Sequence, residues 1–579
     1  MPTLQSSLFR LAGHLLHMAL LSQLSVYTIK PAFGSSYLDI YRPLIIPILF
    51  TVMLILFLRK KKNTRGSKQI QISTTAFCSV AILVGRSLAL EVGEGLGPWY
   101  GAFVVDSIIT FPVTLGTASA VARIFYASNL KFARTAISSS SSSARLLLIA
   151  LAVTRLFMIF DGRIVGRLLP LLWRFVFPKT ASVASLIQLI ALASASVSAL
   201  LSPPRVATLI AISVSIAIQF SGAMHSIIMP STDVLASSIS TSGYLSVLSI
   251  PSQGLRILRS DHSILGGEFV SPPLQIASRL PPDAKWKNEP IFAAFVMQEA
   301  VRLVTPIPVG IDGQNNALII GLGIGTSARA MIEHNVATDV VELDAMVVDF
   351  AVNYFDFPLN RARVTICDGR KFMQSMAKTI LNDPEQAIEE KLRVYDYIIH
   401  DVFTGGAVAP SLFTKEVWLD IKSIMAADGV LAVNFGGDLE SSMARAMIRT
   451  LVKTFKTDGG ACRAFREQVQ SDKWTPGSND FGNLVVFCRK QGGGPLSFRA
   501  PVEEDYLGSL VRHQALPLQE EVRLPIYLKD SEEFLSGGKE LRTLDDESIN
   551  RFAKEAANSA AGHWVVMNKV LAWDVWTNW

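Results

Sequence analysis

Four short stretches in the second half of the chain carry residue types that could hold a nucleoside and act beside it. In "ALIIGLGIGTSARAMIEH", Ala317 to His334, an apolar run meets Gly321, Gly323 and Gly325 and then opens into a helical pattern. Glycines at such a turn let the backbone bend tightly and come close to a ligand. Glu342 ends the next apolar run, where a carboxylate can accept both hydroxyl hydrogens of a ribose. "CDGRKF" supplies Asp368 and Gly369, and Asp368 could meet an adenine amine. "YDYIIHDVFTGG" ends an apolar run on Asp401, a carboxylate able to bind a cation or accept a proton.

These residues need strands and helices to bring them together. The pattern predicts strands at 316–321, 337–342, 363–367, 395–401 and 429–435, with helices at 326–334, 345–354 and 413–427 between them. Such alternation implies a parallel doubly wound α/β sheet covered on both faces, with ligands at the carboxyl ends of its strands. Runs at 462–468 and 482–489 could close the sheet edge as an antiparallel pair, and 379–393 reads as a solvated surface helix. From Ser240, short apolar runs separated by turn residues predict a small β lead-in. The alternative is a generic α/β sheet whose glycines and aspartates only make turns. His400 neighbours Asp401, but strand alternation points it to the opposite face, so it is expected as a packed histidine.

From about Tyr244 to Arg489 the chain resembles class I S-adenosylmethionine-dependent transferases with a Rossmann-like fold, and more narrowly the spermidine synthase (polyamine aminopropyltransferase) family. The family's Tyr-Gln-Glu run is matched by "FVMQEA", which keeps Gln298 and Glu299 but has Met297. Its GGGDGG appears as "GLGIGT", its E-I-D as "ELD", its GDG as "CDG" and its catalytic D-S-S-D-P as "DVFTG"; "PGSNDFGNLVVFC" is similar to its late strand. The resemblance implies Asp401 as the catalytic carboxylate. It implies Gly321, Gly323, Gly325, Glu342, Asp368, Gly369 and Gln298 as contacts to the nucleoside or its tail.

Two departures bear on the reaction. The aspartate of the family's glycine motif, which pairs with the ammonium of decarboxylated S-adenosylmethionine, is replaced by Ile324, and the second acid of D-S-S-D is Thr404. Ordinary S-adenosylmethionine, and with it methyl transfer, then becomes plausible. Three functions follow: aminopropyl transfer from decarboxylated S-adenosylmethionine to a polyamine amine, methyl transfer to a small or lipid-soluble substrate, or a transporter or sensor that only binds a nucleoside or polyamine. The expected ligands are one of the two cofactor forms and a small amine, with no metal. A homodimer is compatible with this reading.

The rest of the chain reads differently. Half of its residues are hydrophobic and 18% are charged, and Asp and Glu are rare before residue 230, which implies an α-helical transmembrane bundle ahead of a water-facing half. Candidate spans are 8–28, 43–58, 74–92, 99–120, 145–160, 181–202 and 206–227, giving a multi-pass integral membrane protein in contact with the lipid bilayer. The first span could instead be a signal peptide, but it lacks a small-residue cleavage site and more spans follow. The basic stretch "RKKKNTRGSK" after Leu58 belongs on the cytoplasmic side. Seven spans then place the second half outside, whereas a cytosolic cofactor requires it inside; one further crossing or re-entrant piece in 161–180 would reconcile the two. Among ionisable residues in the spans, Arg86 is expected to pair with Asp106 and Arg155 to snorkel; the alternative is that they line a path for a cationic solute. Four scattered cysteines show no metal-ligand or disulfide spacing, which points to a reducing, cytosolic compartment. No basic arm indicates nucleic acid. The expected domains are a membrane region at 1–235, a β lead-in at 236–310, a transferase domain at 311–491 and an extension at 492–579. Trp573, Trp576 and Trp579 in that extension mark either a membrane interface or core cover.

Overall fold

The computed structural model describes residues 4–34, 41–59, 64–127, 143–165, 232–273, 286–308, 314–382, 393–403, 408–467, 481–524 and 544–571, apart from 458, 492–493 and 548, together with 167–168, 192, 210, 213–214, 528, 575 and 576. The chain divides into two compact units, Met1–Ser240 with Leu571–Trp579, and Thr241–Val570.

The first unit is helical. Helices Leu4–Phe33 and Arg42–Arg59 pack with a long helical stretch, Thr64–Ala127, which breaks at Gly97, where φ is +70°, and helix Ser143–Met158 packs on the first two. Two of these pieces, Arg42–Arg59 and Gly95–Tyr126, are long and apolar enough among the described residues to cross a membrane. On the first, Leu44, Ile48, Val52 and Leu56 recur every fourth residue and stay exposed, an apolar stripe of the kind that faces lipid. The expected spans at 181–202 and 206–227, and most of 161–180, lie outside the described residues. Asp106 is fully buried, and the Arg42 guanidinium donates to both of its oxygens and to Ser22; the side chain of the expected partner, Arg86, lies outside the described residues. Arg42 opens its helix, outside the span as read from the sequence, so hydropathy alone hid the pair. Arg155 is exposed. A strand, β1 (Asp233–Ser240), ends this unit's continuous segment.

The second unit begins with an antiparallel meander, β2 (Gly243–Ile250), β3 (Leu255–Ser260), β4 (Ser263–Phe269) and β5 (Glu289–Pro290). A helical turn over 293–303 leads to β6 (Val304–Thr305). The main sheet then builds outward in one direction: β7 (Asn316–Ile320), β8 (Ala337–Glu342) and β9 (Ala362–Ile366), all parallel. It returns to the other side of β7 with β10 (Tyr395–His400) and β11 (Met425–Asp438), also parallel. The antiparallel strands β12 (Ala461–Arg466) and β13 (Phe481–Arg489) follow, with β13 beside β11. Strands such as "NALII" and "YDYIIH" are apolar nearly throughout because helices cover both faces. The predicted helix over 413–427 is shorter: it runs Lys415–Ile424, and Met425 already belongs to β11. Of the expected surface helix at 379–393, the described part is the end of helix Gly369–Asn382.

The extension past 492 is built into this unit as far as Val570, and Leu571–Trp579 belongs to the first. Strand β14 (Ser497–Phe498) pairs with β6, and β15 (Glu521–Val522) pairs with β12. Arg512 donates two hydrogen bonds, at 2.8 and 2.9 Å, to the fully buried Glu299. Such a bidentate pair holds the segment firmly, since removing either partner strands a buried charge. Helix Ala553–Val570 lies on the same unit, with Glu555 accepting from the backbone of Met443 at the start of helix Ser442–Lys456. Trp576 is fully buried, while Trp573 and Trp579 lie outside the described residues.

Cys462 and Cys488 face each other across the β12–β13 ladder and form a disulfide, with Cα atoms 4.2 Å apart. This corrects the reading of the cysteines as unpaired: 26 residues separate them in sequence, and only the strand register brings them together. Disulfides persist in oxidising compartments. Cys462→Ser with Cys488→Ser is expected to lower stability by about 2–4 kcal/mol, read from denaturant unfolding. Non-reducing peptide mapping should recover the linked pair.

Candidate functional site

The crevice lies where the sheet reverses direction, between β7 and β10. Ligands of doubly wound sheets bind at this switch point, beyond the carboxyl ends of the strands. Ile320 pairs with His400 and with Val341, so the loops after β7, β8 and β10 emerge side by side. Gly321 has φ of +90°, and a Cβ there would lie 2.1 Å from the Asp401 carbonyl oxygen. Only glycine permits that approach. Gly323 has φ of +55°, and its Cβ would meet the Leu265 carbonyl at 2.7 Å. The close approach at Gly323 is therefore to β4 of the lead-in, not only to a ligand. Gly325, also with positive φ, caps helix Thr326–Glu333.

Glu342 stands at the end of β8 and is 8% exposed. Its Oε2 accepts the Leu322 N–H at 2.8 Å and its Oε1 the Asp344 N–H at 2.9 Å. It thereby ties the glycine loop to the following turn while still lining the cavity. Burial raises its pKa, and the backbone donors oppose that rise. Asp368 is exposed and caps helix Gly369–Asn382, accepting the Arg370 N–H at 2.9 Å through Oδ1. Asp368 and Gly369 both line the cavity.

Asp401 follows β10, and neutral amides hold both of its carboxylate oxygens. Asn434 Nδ2 donates to Oδ1 and Gln298 Nε2 to Oδ2, each at 3.0 Å. Burial pushes its pKa up, against the pull of the two amides. Gln298 is fully buried; its Nε2 donates to Asp401 and orients that carboxylate, while its Oε1 has no hydrogen-bond partner. His400 is packed between Phe413 and Trp418, and burial lowers its pKa to about 4; it is the neutral core histidine that strand alternation implies. Thr404 lies outside the described residues. Ile324 is 2% exposed and packs against Gly266 of β4.

Beyond Asp401 the cavity, of about 1120 Å³, widens into an aromatic and apolar chamber. Phe292, Phe295, Phe403 and Phe481 line it, with Glu467 and Asn483 on one side and His563 and Met567 from helix 553–570 on another. The His563 ring lies 5.1 Å from that of Phe403 and 5.4 Å from that of Phe481. Burial lowers its pKa to about 3, so it is neutral. The motif reading missed these residues. Asn434 left one signal, a polar residue inside an apolar strand; the tail helix left none, because it joins the site only through packing. Among the described residues no cluster of His, Cys, Asp or Glu could hold a metal ion.

Residues 300–457 match the Spermine/spermidine synthase domain. The second unit contains a spermidine synthase-like domain. The chain is 40% identical over 343 residues to an N-terminal histidine N-methyltransferase of Emericella nidulans, covering 59% of this chain and 57% of that protein. It is 32% identical over 120 residues to a polyamine aminopropyltransferase of Vibrio vulnificus, covering 20% of this chain and 36% of that one. The chain thus spans just over half of the first relative and about a third of the second. Both relatives are transferases by name. Among solved structures, it is similar to a probable spermidine synthase from Corynebacterium glutamicum, with 15% identity, a TM-score of 0.34 and coverage of 56% of this chain and 95% of that one. It is also similar to human methyltransferase-like protein 13 in complex with SAH, with 19% identity, a TM-score of 0.26 and coverage of 42% and 90%.

If Glu342 holds a ribose, Glu342→Ala removes a charged acceptor worth about 1.5–3 kcal/mol. Affinity for S-adenosylmethionine should then fall roughly tenfold to a hundredfold in calorimetric titration. A 2′-deoxy analogue should lose much less between parent and variant; equal losses would place Glu342 away from the sugar.

Proposed function

We propose that the second unit is a transferase that moves the methyl group of S-adenosylmethionine to a nitrogen of its acceptor, and that the acceptor is an N-terminal histidine. Ile324 carries this reading. Where an aminopropyltransferase would place a carboxylate to pair with the decarboxylated cofactor's ammonium, this chain buries an isoleucine. Close by, the Thr326 hydroxyl is buried without a partner at the N-terminus of helix Thr326–Glu333. A helix N-terminus favours an anion, which suits the carboxylate of the intact amino-acid form. The 40% identity to an N-terminal histidine N-methyltransferase supports the acceptor assignment.

When bound, S-adenosylmethionine supplies a methyl carbon on a sulfonium, a good leaving group. The remaining demand is orientation and an unprotonated nitrogen. In this reading Gly321, Gly323 and Gly325 shape the loop beneath the cofactor, Glu342 holds its ribose and Asp368 its base. Asp401, oriented by Gln298 and Asn434, accepts the N–H of the acceptor. The N–C bond forms as the C–S bond breaks, the electron pair stays on sulfur, and the proton of the acceptor ring passes to Asp401 and then to water.

The second reading, aminopropyl transfer to a polyamine, is favoured by the domain match and by Asp401 itself. Incubation of the full-length protein with a histidine-initiated peptide and S-adenosylmethionine, beside putrescine and the decarboxylated cofactor, separates the two readings by product mass. A methyl adduct on the peptide is expected. An aminopropyl adduct alone would overturn methyl transfer.

The apolar stripe on helix Arg42–Arg59 supports a membrane-embedded first unit, and the full multi-pass bundle belongs to this proposal. The disulfide favours an oxidising, non-cytosolic compartment for the transferase, the side on which seven spans would put it.

Asp401 also sets a pH dependence. Its carboxyl pKa is raised in the folded protein, so the stability linked to it is present at low pH and lost as pH rises through that value. Activity runs the opposite way, since the ionised form is the one required. Asn434→Leu removes one stabilising amide and should move the acid limb of the kcat/KM profile toward higher pH. An unmoved limb would assign that titration to another group.

A further inference from the structure

The chamber beyond Asp401 holds a second carboxylate, Glu467, just past the end of β12. Its Oε1 accepts the Ala294 N–H at 3.1 Å and its Oε2 accepts from Asn483 Nδ2 at 2.6 Å. Asp401 is likewise held by neutral amides. Among the described residues no cation is hydrogen-bonded or ion-paired to either carboxylate, although Arg370 and Lys569 also line the cavity. Two carboxylates held only by neutral donors at a cavity wall suit a ligand that supplies the opposite sign.

The register places the two amides that hold the pair. On the β11–β13 ladder Asn434 pairs with Val485 and Gly436 with Asn483. The two asparagines therefore share one face as diagonal neighbours, about 7 Å apart. Each donates to one carboxylate, so Asp401 and Glu467 are held from the same face of the sheet. Two buried polar atoms point the same way. Asn434 Oδ1 and His563 Nδ1 have no partner, in side chains 6% and 5% exposed that line the cavity. A chamber with an unpartnered amide oxygen, an unpartnered imidazole nitrogen, two carboxylates and aromatic walls suits a flat N–H-bearing ring with an ammonium close by.

We propose that Glu467 binds the α-ammonium of the acceptor while Asp401 holds the reacting ring, so that Glu467 restricts the enzyme to free chain termini. This rests on the methyl-transfer reading above. The competing role for Glu467 is purely structural, a cap on the helical turn that starts at Ala293.

The test uses the full-length protein in detergent, with a histidine-initiated peptide and its Nα-acetylated form. In Glu467→Gln, KM for the free peptide should rise roughly tenfold or more, the scale of one charge-assisted hydrogen bond, with kcat and S-adenosylmethionine affinity little changed. The acetylated peptide should be poor in the parent and no poorer in the variant. Asn483→Leu, which leaves the Ala294 contact in place, should raise KM in the same peptide-selective way should Glu467→Gln fail to fold. Equal losses for both peptides, or no loss for the free one, overturn the proposal. If the parent methylates neither peptide, the methyl-transfer reading has failed; Glu467 is then judged by binding of putrescine against 1-aminobutane. A diamine preference lost in Glu467→Gln upholds a cation-binding role, and an unchanged preference removes it.

Discussion

A half-buried carboxylate held by neutral amides sets the terms for the rest of the transferase unit. The two amides favour the charge of Asp401, and burial works against it. Gln298 comes from the turn before the main sheet and Asn434 from β11, so elements more than a hundred residues apart converge on one side chain. Gly321 is constrained by the same point, since its backbone lies against the Asp401 carbonyl. The lead-in, the glycine loop and the far half of the sheet must all be in place before this carboxylate can exist in its observed form.

The site is layered around that constraint. On one side, Glu342 ties the glycine loop to the start of the next helix through two backbone N–H groups. That wall is built of backbone and suits a ligand whose shape does not vary. On the other side the walls are side chains, Phe403, Phe481, His563 and Met567, drawn from three separate segments. A wall made of side chains can change its selectivity without disturbing the fold. This explains how one architecture can serve aminopropyl and methyl transfer to different nitrogen acceptors.

The extension beyond residue 492 is, as far as Val570, an integral part of this unit. Arg512 on Glu299 and Glu555 at Met443 are polar clamps that fix it to the turn before the main sheet and to helix Ser442–Lys456. The helix that carries Glu555, 553–570, also brings a neutral histidine into the chamber. The disulfide between β12 and β13 braces the ladder whose open end carries Asn483 and Glu467.

The sequence by itself determined where the strands of the parallel sheet lie, the glycine loop and the placing of Glu342, Asp368 and Asp401 at strand ends, because each depends on local pattern: a buried strand reads as an apolar run, and the polar residue at its carboxyl end stands directly at or after it. It also revealed the departure at Ile324, since a motif position carries its chemistry with it. What it could not supply were contacts between segments. The Arg42–Asp106 pair, the Cys462–Cys488 bond, the commitment of Gln298 to Asp401 and the place of His563 all join residues far apart along the chain. No periodicity records such pairings. They are decided when strand register and helix packing bring distant side chains within a few ångströms, and only the tertiary structure does that.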